Sequence, residues 1–264
     1  MPPVTRGQEQ ATMKPQSNAK ITLYWLEQSR AQRILWLLEE LKIDYDLKTY
    51  KRQNMLAPKE LQEIHPLGKS PLVKVESEAT PKPVVLAESG LIIEYLIDHF
   101  GPYLVPERYQ KGKEGQVGGE TEEWLRYRYL MHYGEGSLMP LLVFALIFNT
   151  IKRQSPFFIK PIVLMITGGV ESKFLFPELD KHFNFLETQI ATSPNRGEYL
   201  CGSQLTGADI MMSFPLSAAK GRSSFSEEKH PKLWAYVDRI QGLEGYKKAV
   251  QKIVDTEGSY DPRL

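Results

Sequence analysis

Two short stretches of this chain carry residue types that suit a small charged ligand. The first is the turn His65-Pro66-Leu67-Gly68-Lys69-Ser70-Pro71, which leads into an apolar strand over residues 72–75. A proline that enters a strand from a tight turn is a candidate for a cis peptide bond, and a trans proline on an edge strand is the alternative. A cis Ser70–Pro71 bond would leave the N–H and C=O groups of Ser70 free to pair with another extended backbone.

The second stretch, Glu88-Ser89, lies where another apolar strand passes into a helix. The unpaired N–H groups and the dipole of a helix N-terminus attract anions, and the Ser89 hydroxyl adds a donor. Glu88 could hold an ammonium group, and Lys69 in the turn suits a second carboxylate. The alternatives are an ordinary N-cap with an acid in the first turn, and a solvated lysine. Together the two stretches predict a clamp for a small anionic peptide.

Two hydroxyl groups near the start of the first predicted helix could donate to a thiolate. Tyr24 ends the first strand, and Ser29 begins the helix. A free thiol with a pKa of ~8.5 is mostly protonated at neutral pH, and lowering that pKa by ~2 units needs ~2.7 kcal/mol. One hydrogen bond to a charged acceptor supplies ~1.5–3 kcal/mol, so one hydroxyl together with a helix dipole suffices. The alternatives are a plain N-cap for Ser29 and a core or edge aromatic for Tyr24.

A polar cluster interrupts the apolar helical region of the second half. The cluster consists of His132, Tyr133, Glu135 and Ser137, and at helical spacing His132, Glu135 and Tyr133 could line a cleft. Only two of them have the chemistry of metal ligands and no partner cluster accompanies them, so we expect no metal site. Buried polar groups with satisfied hydrogen bonds at a helix bend are the alternative interpretation.

The hydrophobic pattern indicates which elements position these residues. Residues 21–25 are rich in β-branched and aromatic types, as in a buried strand, and apolar residues then recur at helical spacing over Ala31–Leu41. Ser29 and Gln32 fit a capping box at the start of that helix. A second strand over residues 45–50 completes a strand–helix–strand unit, for which a parallel pair with a right-handed crossover is expected.

The same half continues with a predicted helix over residues 58–64 and two strands, 72–75 and 84–87. The connection between these strands is too short for a parallel crossover, so they should pair antiparallel. A helix over residues 88–100 ends at Gly101-Pro102. The order βαβ–α–ββα predicts one layer of four strands with helices on both faces.

The composition changes after this unit. Residues 105–119 mix charges with glycines, as in a solvated linker, and no convincing strand pair follows. We predict helices over residues 120–148 with a bend at Pro140, then 156–168, 174–190, one opened by a capping box at Thr206 and Asp209, 233–240 and 246–254. The predicted organisation is a disordered tail at 1–19, an α/β domain at 20–103, a linker at 104–119 and an all-helical domain at 120–264.

The bulk composition excludes several classes of function. Of the 264 residues 42 % are apolar and 25 % charged, which is ordinary for a soluble globular protein. The formal net charge is +1 with scattered Lys and Arg, so no nucleic-acid partner is expected. The single cysteine, Cys201, rules out an internal disulfide and fits a reducing compartment. Residues 1–19 lack the apolar core of a secretory signal, and the apolar run 138–148 is too short to cross a bilayer.

Several segments, taken in order, resemble the soluble glutathione transferases, and most closely a fungal- and bacterial-type subgroup. The resemblance covers roughly residues 21–254. The segments that carry it are Ser29-Arg30-Ala31-Gln32-Arg33-Ile34-Leu35-Trp36-Leu37-Leu38-Glu39-Glu40-Leu41, the His65–Pro71 turn, Ala87-Glu88-Ser89, Glu135-Gly136-Ser137-Leu138-Met139-Pro140, Tyr199-Leu200-Cys201-Gly202 and Leu205-Thr206-Gly207-Ala208-Asp209-Ile210. The resemblance implies a fold of α/β plus all-α type, with a thioredoxin-like N-terminal domain and a C-terminal helical bundle domain.

The resemblance also implies a role for each residue of the clamp. Pro71 matches the family's cis-proline, and Ser70 matches the residue whose backbone pairs with the cysteinyl unit of glutathione. Glu88 and Ser89 match the pair that binds the γ-glutamyl end. Further residues expected to bind glutathione are Lys69 at the glycyl carboxylate, with Gln28 and His65 near enough to help.

The resemblance identifies the residue that activates the thiol less directly than the residues of the clamp. Tyr24 matches the tyrosine of the tyrosine-type classes, whereas Leu26 occupies the place of the serine-type classes and has no donor. Ser29 lies one turn further on. We therefore expect catalysis through Tyr24 or Ser29, with a backbone N–H or a bound water as alternatives. The lack of a cysteine in this region argues against cysteine-type deglutathionylation.

The expected function is conjugation of the glutathione thiolate to hydrophobic electrophiles, with glutathione-dependent peroxidase activity beside it. The second-substrate pocket is expected at His132, Tyr133 and Ser137. Glutathione is then a co-substrate, and no other cofactor is expected. The resemblance implies a homodimer, with a cytoplasmic role in detoxification and stress response. The alternative is a non-catalytic glutathione-binding regulator or carrier, because fold alone does not decide function.

Overall fold

The structure is a computed structural model that describes residues 19–261. The expected disordered tail at 1–19 therefore lies outside the described residues, apart from Ala19. The predicted change from mixed to all-helical structure falls between Leu104, which ends a short 3₁₀ turn, and Glu122, which begins a helix. Residues 105–121 carry backbone turns and an isolated bridge between Tyr109 and Glu120.

A four-stranded sheet organises the N-terminal half. Its strands are β1 (Lys20–Leu26), β2 (Asp46–Tyr50), β3 (Leu72–Glu76) and β4 (Val84–Ala87), in the order β2-β1-β3-β4. Strand β1 pairs parallel with β2 and antiparallel with β3, which pairs antiparallel with β4. Both predicted pairings are thus confirmed, and the ends of β1 and β3 that carry the site lie side by side, with Tyr24 opposite Leu72.

Three helices cover the two faces of this sheet. Helices α1 (Ala31–Leu41) and α3 (Ser89–Phe100) pack together against the face that carries Leu23 and Trp25. The short helix α2 (Glu60–Ile64) covers the other face, where Leu61 joins a small separate core of Tyr24, Leu26 and Leu72. Because side chains alternate along a strand, neighbouring residues of β1 serve two different cores. This is the thioredoxin-like arrangement that the resemblance implied.

The start of α1 differs from the predicted capping box. The helix begins at Ala31 with Arg30 as its N-cap, and no side chain caps it in the manner of a box. Ser29 instead accepts a hydrogen bond at Oγ from the Ala31 N–H, at 3.2 Å. The turn through Glu27 and Gln28, which has a positive φ of 48° at Gln28, places Ser29 one residue too early for the box.

The C-terminal half consists of helices, and two of them are longer than the sequence indicated. Helices α4 (Glu122–Tyr133) and α5 (Met139–Gln154) join through a π-helical turn, Gly134–Leu138, and α6 (Lys160–Val170) joins α7 (Phe176–Ala191) through another, Glu171–Leu175. The bend predicted at Pro140 is therefore a π turn just before it, and the predicted break over residues 169–173 is absent. The remaining helices are α8 (Gly207–Ala219), α9 (Pro231–Gln241) and α10 (Glu244–Glu257).

Helix α8 is the centre of the bundle, and all thirteen of its residues are buried. The predicted capping box at its start is present. The Asp209 carboxylate accepts hydrogen bonds from the Thr206 N–H at 2.8 Å and from the Leu200 N–H at 3.0 Å, and the Tyr236 hydroxyl also donates to it at 2.8 Å. A buried carboxylate with this many donors fixes the loop before α8 against α9.

The continuous helix Glu122–Gln154 is long and apolar enough to cross a membrane, judged by length and composition alone. Its first half packs against α8 and buries Tyr127, Leu130 and Met131 in the core. Across residues 19–261, no group of three or more His, Cys, Asp or Glu side chains is arranged to hold a metal ion.

Candidate active site

The turn before β3 and the start of α3 form two sides of one polar pocket. The Ser70–Pro71 peptide bond is cis, as the turn suggested. The pocket brings together most of the predicted glutathione-binding residues. Its lining comprises His65, Lys69, Ser70, Pro71, Glu88 and Ser89, together with Arg30, Leu67, Ala87 and Glu135.

Gly68 holds this turn in a conformation that a residue with a side chain does not adopt easily. Gly68 has a positive φ of 55°, and a Cβ added there would lie 2.6 Å from Gln62 Cγ. Its N–H donates to the His65 carbonyl at 2.8 Å, and His65 Nδ1 accepts from the Leu67 N–H at 3.4 Å. These contacts aim Lys69 outward, where its exposed side chain borders the pocket.

The residue before α3 has an unusual backbone conformation. Glu88 has φ 71° and ψ 121°, and its exposed side chain does not cap the helix. A non-glycine residue with positive φ costs on the order of 1–3 kcal/mol, and such residues concentrate at binding sites. The strained peptide holds Glu88 at the pocket while the buried Ser89 begins the helix. An ammonium group and a carboxylate of one ligand can therefore be bound at adjacent residues.

Ser29 lies beside Ser70, which lines this pocket. Their hydroxyl oxygens are 3.3 Å apart, and the Ser70 hydroxyl also donates to the Tyr24 carbonyl at 3.3 Å. Since Ser70 has one proton to give, Ser29 is the donor between the two hydroxyls. The Ala31 N–H at the positive end of α1 polarises the Ser29 hydroxyl further. This proton can turn from Ser70 to a negatively charged sulfur bound in front of it.

Tyr24 is not brought to the pocket. Its side chain is 5 % exposed and packs under α2 with Leu26 and Leu61. Its ring lies 6.4 Å from that of Tyr50. Tyr24 faces the opposite side of the sheet from Trp25, and its backbone carbonyl is the part that contacts the site, through Ser70. The core interpretation of Tyr24 therefore agrees with the geometry better than a catalytic one.

Two arginines and one glutamate form an ion cluster that the sequence pattern did not predict. Arg30 Nη1 lies 2.6 Å from one Glu135 oxygen, and Arg33 Nη2 lies 2.8 Å from the other. Arg33 is fully buried, and Nη1 donates to the Met211 carbonyl at 3.0 Å. Burial lowers the pKa of Arg33 to about 10 against the opposing effect of Glu135. The signal in the sequence was a charge inside the apolar stretch 31–38.

An apolar pocket opens next to the polar one and shares Arg30, Lys69 and Ser70 with it. Its volume is ≈ 310 Å³. The remaining lining residues come from both halves of the chain and are Leu26, Gln28, Ser29, Arg52, Ala57, Met139, Val143, Leu146 and Phe214. The 3,4 spacing of Met139, Val143 and Leu146 in an apolar run was the signal for this wall.

Arg52 secures the loop on which this pocket rests. Its side chain donates to the Glu27 carbonyl at 3.2 Å and to the Gln28 carbonyl at 3.1 Å, and its N–H donates to the Glu27 carboxylate at 2.5 Å. The loop carries Ser29, so Arg52 acts on the site by positioning. Nothing in the pattern around Arg52 distinguished it from other surface arginines.

The residues expected to form the second-substrate pocket lie elsewhere. His132 and Ser137 are exposed, and neither lines the apolar pocket. Tyr133 is buried, with its hydroxyl 2.5 Å from His182 Nδ1. The π turn after Tyr133 redirects the following side chains, so that Met139 rather than Ser137 faces the cleft. For Tyr133, the alternative of a buried group with a satisfied hydrogen bond agrees with the structure.

The Tyr133–His182 contact predicts a pH dependence of stability. Burial lowers the pKa of His182, so the unfolded chain takes up a proton on acidification that the folded chain resists. The stabilisation is complete above the unfolded pKa of ~6.5 and is lost as pH falls below it.

We expect the Tm of the wild type to fall more between pH 7 and 5 than that of His182→Gln. Thermal unfolding at several pH values measures this, with the exposed His99→Gln as control; equal slopes would contradict it.

Comparison with known proteins identifies the family of this chain. Family models described as glutathione S-transferase, N-terminal domain, and glutathione S-transferase, C-terminal domain, match residues 29–99 and 172–239. Glutathione S-transferase 1 of Saccharomyces cerevisiae is 36 % identical over 234 residues, covering 88 % of this chain and 94 % of that protein. Glutathione S-transferase 3 of Schizosaccharomyces pombe is 30 % identical, covering 89 % and 88 %.

A solved structure supports the same conclusion. A glutathione S-transferase from Actinobacillus pleuropneumoniae superposes with a TM-score of 0.61 at 28 % identity, covering 92 % of this chain and 95 % of that one. The fold, the order of the two domains and the sequence identity over nearly the whole chain all match glutathione S-transferases. The chain therefore belongs to the glutathione S-transferase family, and it is a transferase.

Proposed function

We propose that this enzyme binds glutathione in the polar pocket and conjugates its thiolate to hydrophobic electrophiles. In this proposal the cysteinyl unit pairs with the Ser70 backbone beside Pro71. The γ-glutamyl end binds at Glu88 and Ser89. Its carboxylate lies at the helix N-terminus with Ser89, and its ammonium group lies against the carboxylate of Glu88. The glycyl carboxylate lies towards Lys69, with His65 and Gln28 at the margins.

Ser29 is the group that we propose activates the thiol. Its hydroxyl can donate to the sulfur while the Ala31 N–H supports it from behind. A hydrogen bond to a charged acceptor contributes ~1.5–3 kcal/mol, which is close to the ~2.7 kcal/mol needed to lower a thiol pKa by ~2 units. Among the described residues that line the apolar pocket, Ser29 and Ser70 are the two that carry a hydroxyl, and Ser70 also lines the polar pocket.

The electrophile is proposed to bind against Met139, Val143 and Leu146 of α5, with Phe214 of α8 behind it. These side chains offer an apolar surface of the kind found in small-molecule pockets. Holding electrophile and thiolate in one cleft lowers the barrier by proximity. The same thiolate would attack a hydroperoxide, releasing an alcohol and leaving a sulfenic acid that a second glutathione reduces.

The observation that carries the proposal is the position of Ser29, within 3.3 Å of Ser70 where the polar and apolar pockets meet. The test is turnover of a general aryl halide, and separately of an organic hydroperoxide, by the purified full chain with glutathione. Turnover of either is expected. Glutathione binding without turnover of any electrophile or peroxide would replace this proposal with the non-catalytic carrier or regulator.

Glu88→Gln tests the γ-glutamyl end of the site. The change removes a charge but retains the shape, so we expect glutathione to bind roughly tenfold more weakly, as for loss of a charged hydrogen bond. Calorimetric titration with glutathione measures the Kd. The exposed Glu78→Gln, on the β3–β4 connection, is the matched control. An unchanged Kd for Glu88→Gln would show that the γ-glutamyl end binds elsewhere.

Three further properties complete the proposal: membership of the fungal- and bacterial-type subgroup with the His65–Pro71 turn, a homodimer, and a cytoplasmic location. The subgroup and the homodimer rest on the resemblance, and the two yeast relatives agree with the fungal side of the subgroup. Sedimentation at micromolar concentration tests the dimer, and a monomer would contradict it.

A further inference from the structure

The end of the α5–α6 hairpin exposes an unusual concentration of apolar side chains. We call residues 151–166, which comprise the last turn of α5, the connecting loop and the first half of α6, the hairpin tip. Phe157 is 88 % exposed and Phe158 is 68 % exposed in the loop, where their rings pack edge to face, and Met165 on α6 is 71 % exposed. Ile151, Ile159, Ile162, Leu164 and Ile166 are exposed beside them.

Helix α6 is apolar on a surface that nothing in the described chain covers. Thr167 is its only buried residue. On α5 the outward stripe of Phe144, Ile147 and Ile151 continues the same surface at helical spacing. Contiguous apolar surface of this extent on a water-soluble fold marks an interaction site.

The charges around the tip have a single sign. No Asp or Glu occurs between Glu135 and Glu171, whereas Lys152, Arg153 and Lys160 lie in that interval. Lys152 is neutralised by Glu171, whose oxygens are 2.7 and 2.9 Å from its Nζ. The side chains of Arg153 and Lys160 are without partners among residues 19–261, and they flank the two phenylalanines.

We propose that the hairpin tip inserts into the surface of an anionic lipid bilayer. Phenylalanines at a projecting turn enter the boundary between headgroups and acyl chains, while flanking Arg and Lys reach back to lipid phosphates. A second copy of the chain fits the tip less well, because tip-to-tip packing would bring Arg153 and Lys160 of both copies together with no acid to neutralise them. The helix Glu122–Gln154 does not span the bilayer in this arrangement, since its first half is held in the protein core.

Vesicle binding by the full chain tests the proposal. We expect it to float with vesicles containing about one third phosphatidylserine, and much less with phosphatidylcholine alone, at low salt. Phe157→Ser with Phe158→Ser should reduce partitioning at least tenfold. Arg153→Gln with Lys160→Gln should reduce binding to anionic vesicles by roughly fivefold per charge. Tyr103→Ser with Val117→Ser removes two exposed apolar side chains elsewhere and should bind as the wild type does.

A label reports insertion directly, independently of any loss of folding in these variants. Cys201 is buried, so Ser155→Cys gives one reactive thiol at the tip and Val117→Cys gives a matched one far from it. An environment-sensitive fluorophore should shift to the blue on anionic vesicles at position 155 only.

Three results would overturn the proposal. They are absence of binding to either vesicle type, equal binding by the phenylalanine double variant, and conversion of a dimer to a monomer by that variant in sedimentation. The last would assign the tip to contacts between copies. Turnover of a water-soluble aryl halide is read in parallel, so failure of the conjugation proposal is recognised separately.

Discussion

We expect Ser29→Ala to lower kcat/KM for an aryl halide roughly 100-fold at pH 6.5 to 7, with little change in glutathione affinity. The loss corresponds to ~2.7 kcal/mol, the energy of a pKa shift of ~2 units in the bound thiol. It arises because the hydroxyl stabilises the thiolate and contributes little to holding the peptide. Steady-state kinetics with a glutathione titration measures both effects.

The pH profile distinguishes this role from a structural one. In Ser29→Ala, the apparent pKa of the pH–rate profile should rise towards the ~8.5 of a free thiol. The difference in kcat/KM between the variant and the wild type should therefore shrink as pH increases past that value. Ser29→Thr keeps a hydroxyl and should retain much of the rate. Tyr24→Phe removes the hydroxyl of the other candidate for thiol activation and should leave the pH–rate profile unchanged. A large, pH-dependent loss in Tyr24→Phe instead would make Tyr24 the activating residue.

We expect Glu135→Ala to reduce the free energy of unfolding by ~3–5 kcal/mol, because it leaves the charge of Arg33 buried without its counter-ion. For a chain of this size the Tm should fall by roughly 10 °C. Urea unfolding followed by circular dichroism measures the free energy. The effect should depend only weakly on salt, since Arg33 is fully buried and the Glu135 side chain is only 25 % exposed.

Two further variants isolate the buried charge as the cause. Glu135→Leu with Arg33→Met removes both charges and should recover most of the stability, because an apolar pair of similar size replaces a buried ion pair without great loss. Glu178→Ala breaks an exposed pair with Lys181, whose atoms are 2.6 Å apart, and should cost less than ~1 kcal/mol. Equal effects of Glu135→Ala and Glu178→Ala would show that Arg33 finds another partner or loses its proton.

Much of the fold could be predicted because local pattern and tertiary packing agree. The strand over Val84–Ala87 was predicted with its observed ends, and the capping box at Thr206 and Asp209 is present, since each depends on residues adjacent in the sequence. The box expected at Ser29 failed for a physical reason. The Ser29 oxygen satisfies the Ala31 N–H in a turn, and Arg30 becomes the N-cap.

The site was predictable where it lies on contiguous residues and not where it depends on packing. The turn at Ser70-Pro71 and the helix start at Glu88-Ser89 do line one pocket. The left-handed backbone of Glu88 has no signature in its side chain. The 3,4 spacing of Met139, Val143 and Leu146 marks one helix face, but it does not show that this face lines the apolar pocket. The π turn before Met139, which periodicity does not reveal, decides which residues of the helix face inward.

The length of the π turn Gly134–Leu138 determines which face of α5 borders the apolar pocket. Each residue of an α-helix advances the side-chain direction by about 100°, and a π turn holds one residue more than the α-helical path requires. Gly134–Leu138 therefore sets the rotational phase of α5 relative to α4. At the observed phase Val143 and Leu146 face the cleft, and Phe144 and Ile147 face outward. A chain one residue shorter here would keep the core contacts of α4 while presenting a different face of α5 to the apolar pocket, without any substitution in the pocket.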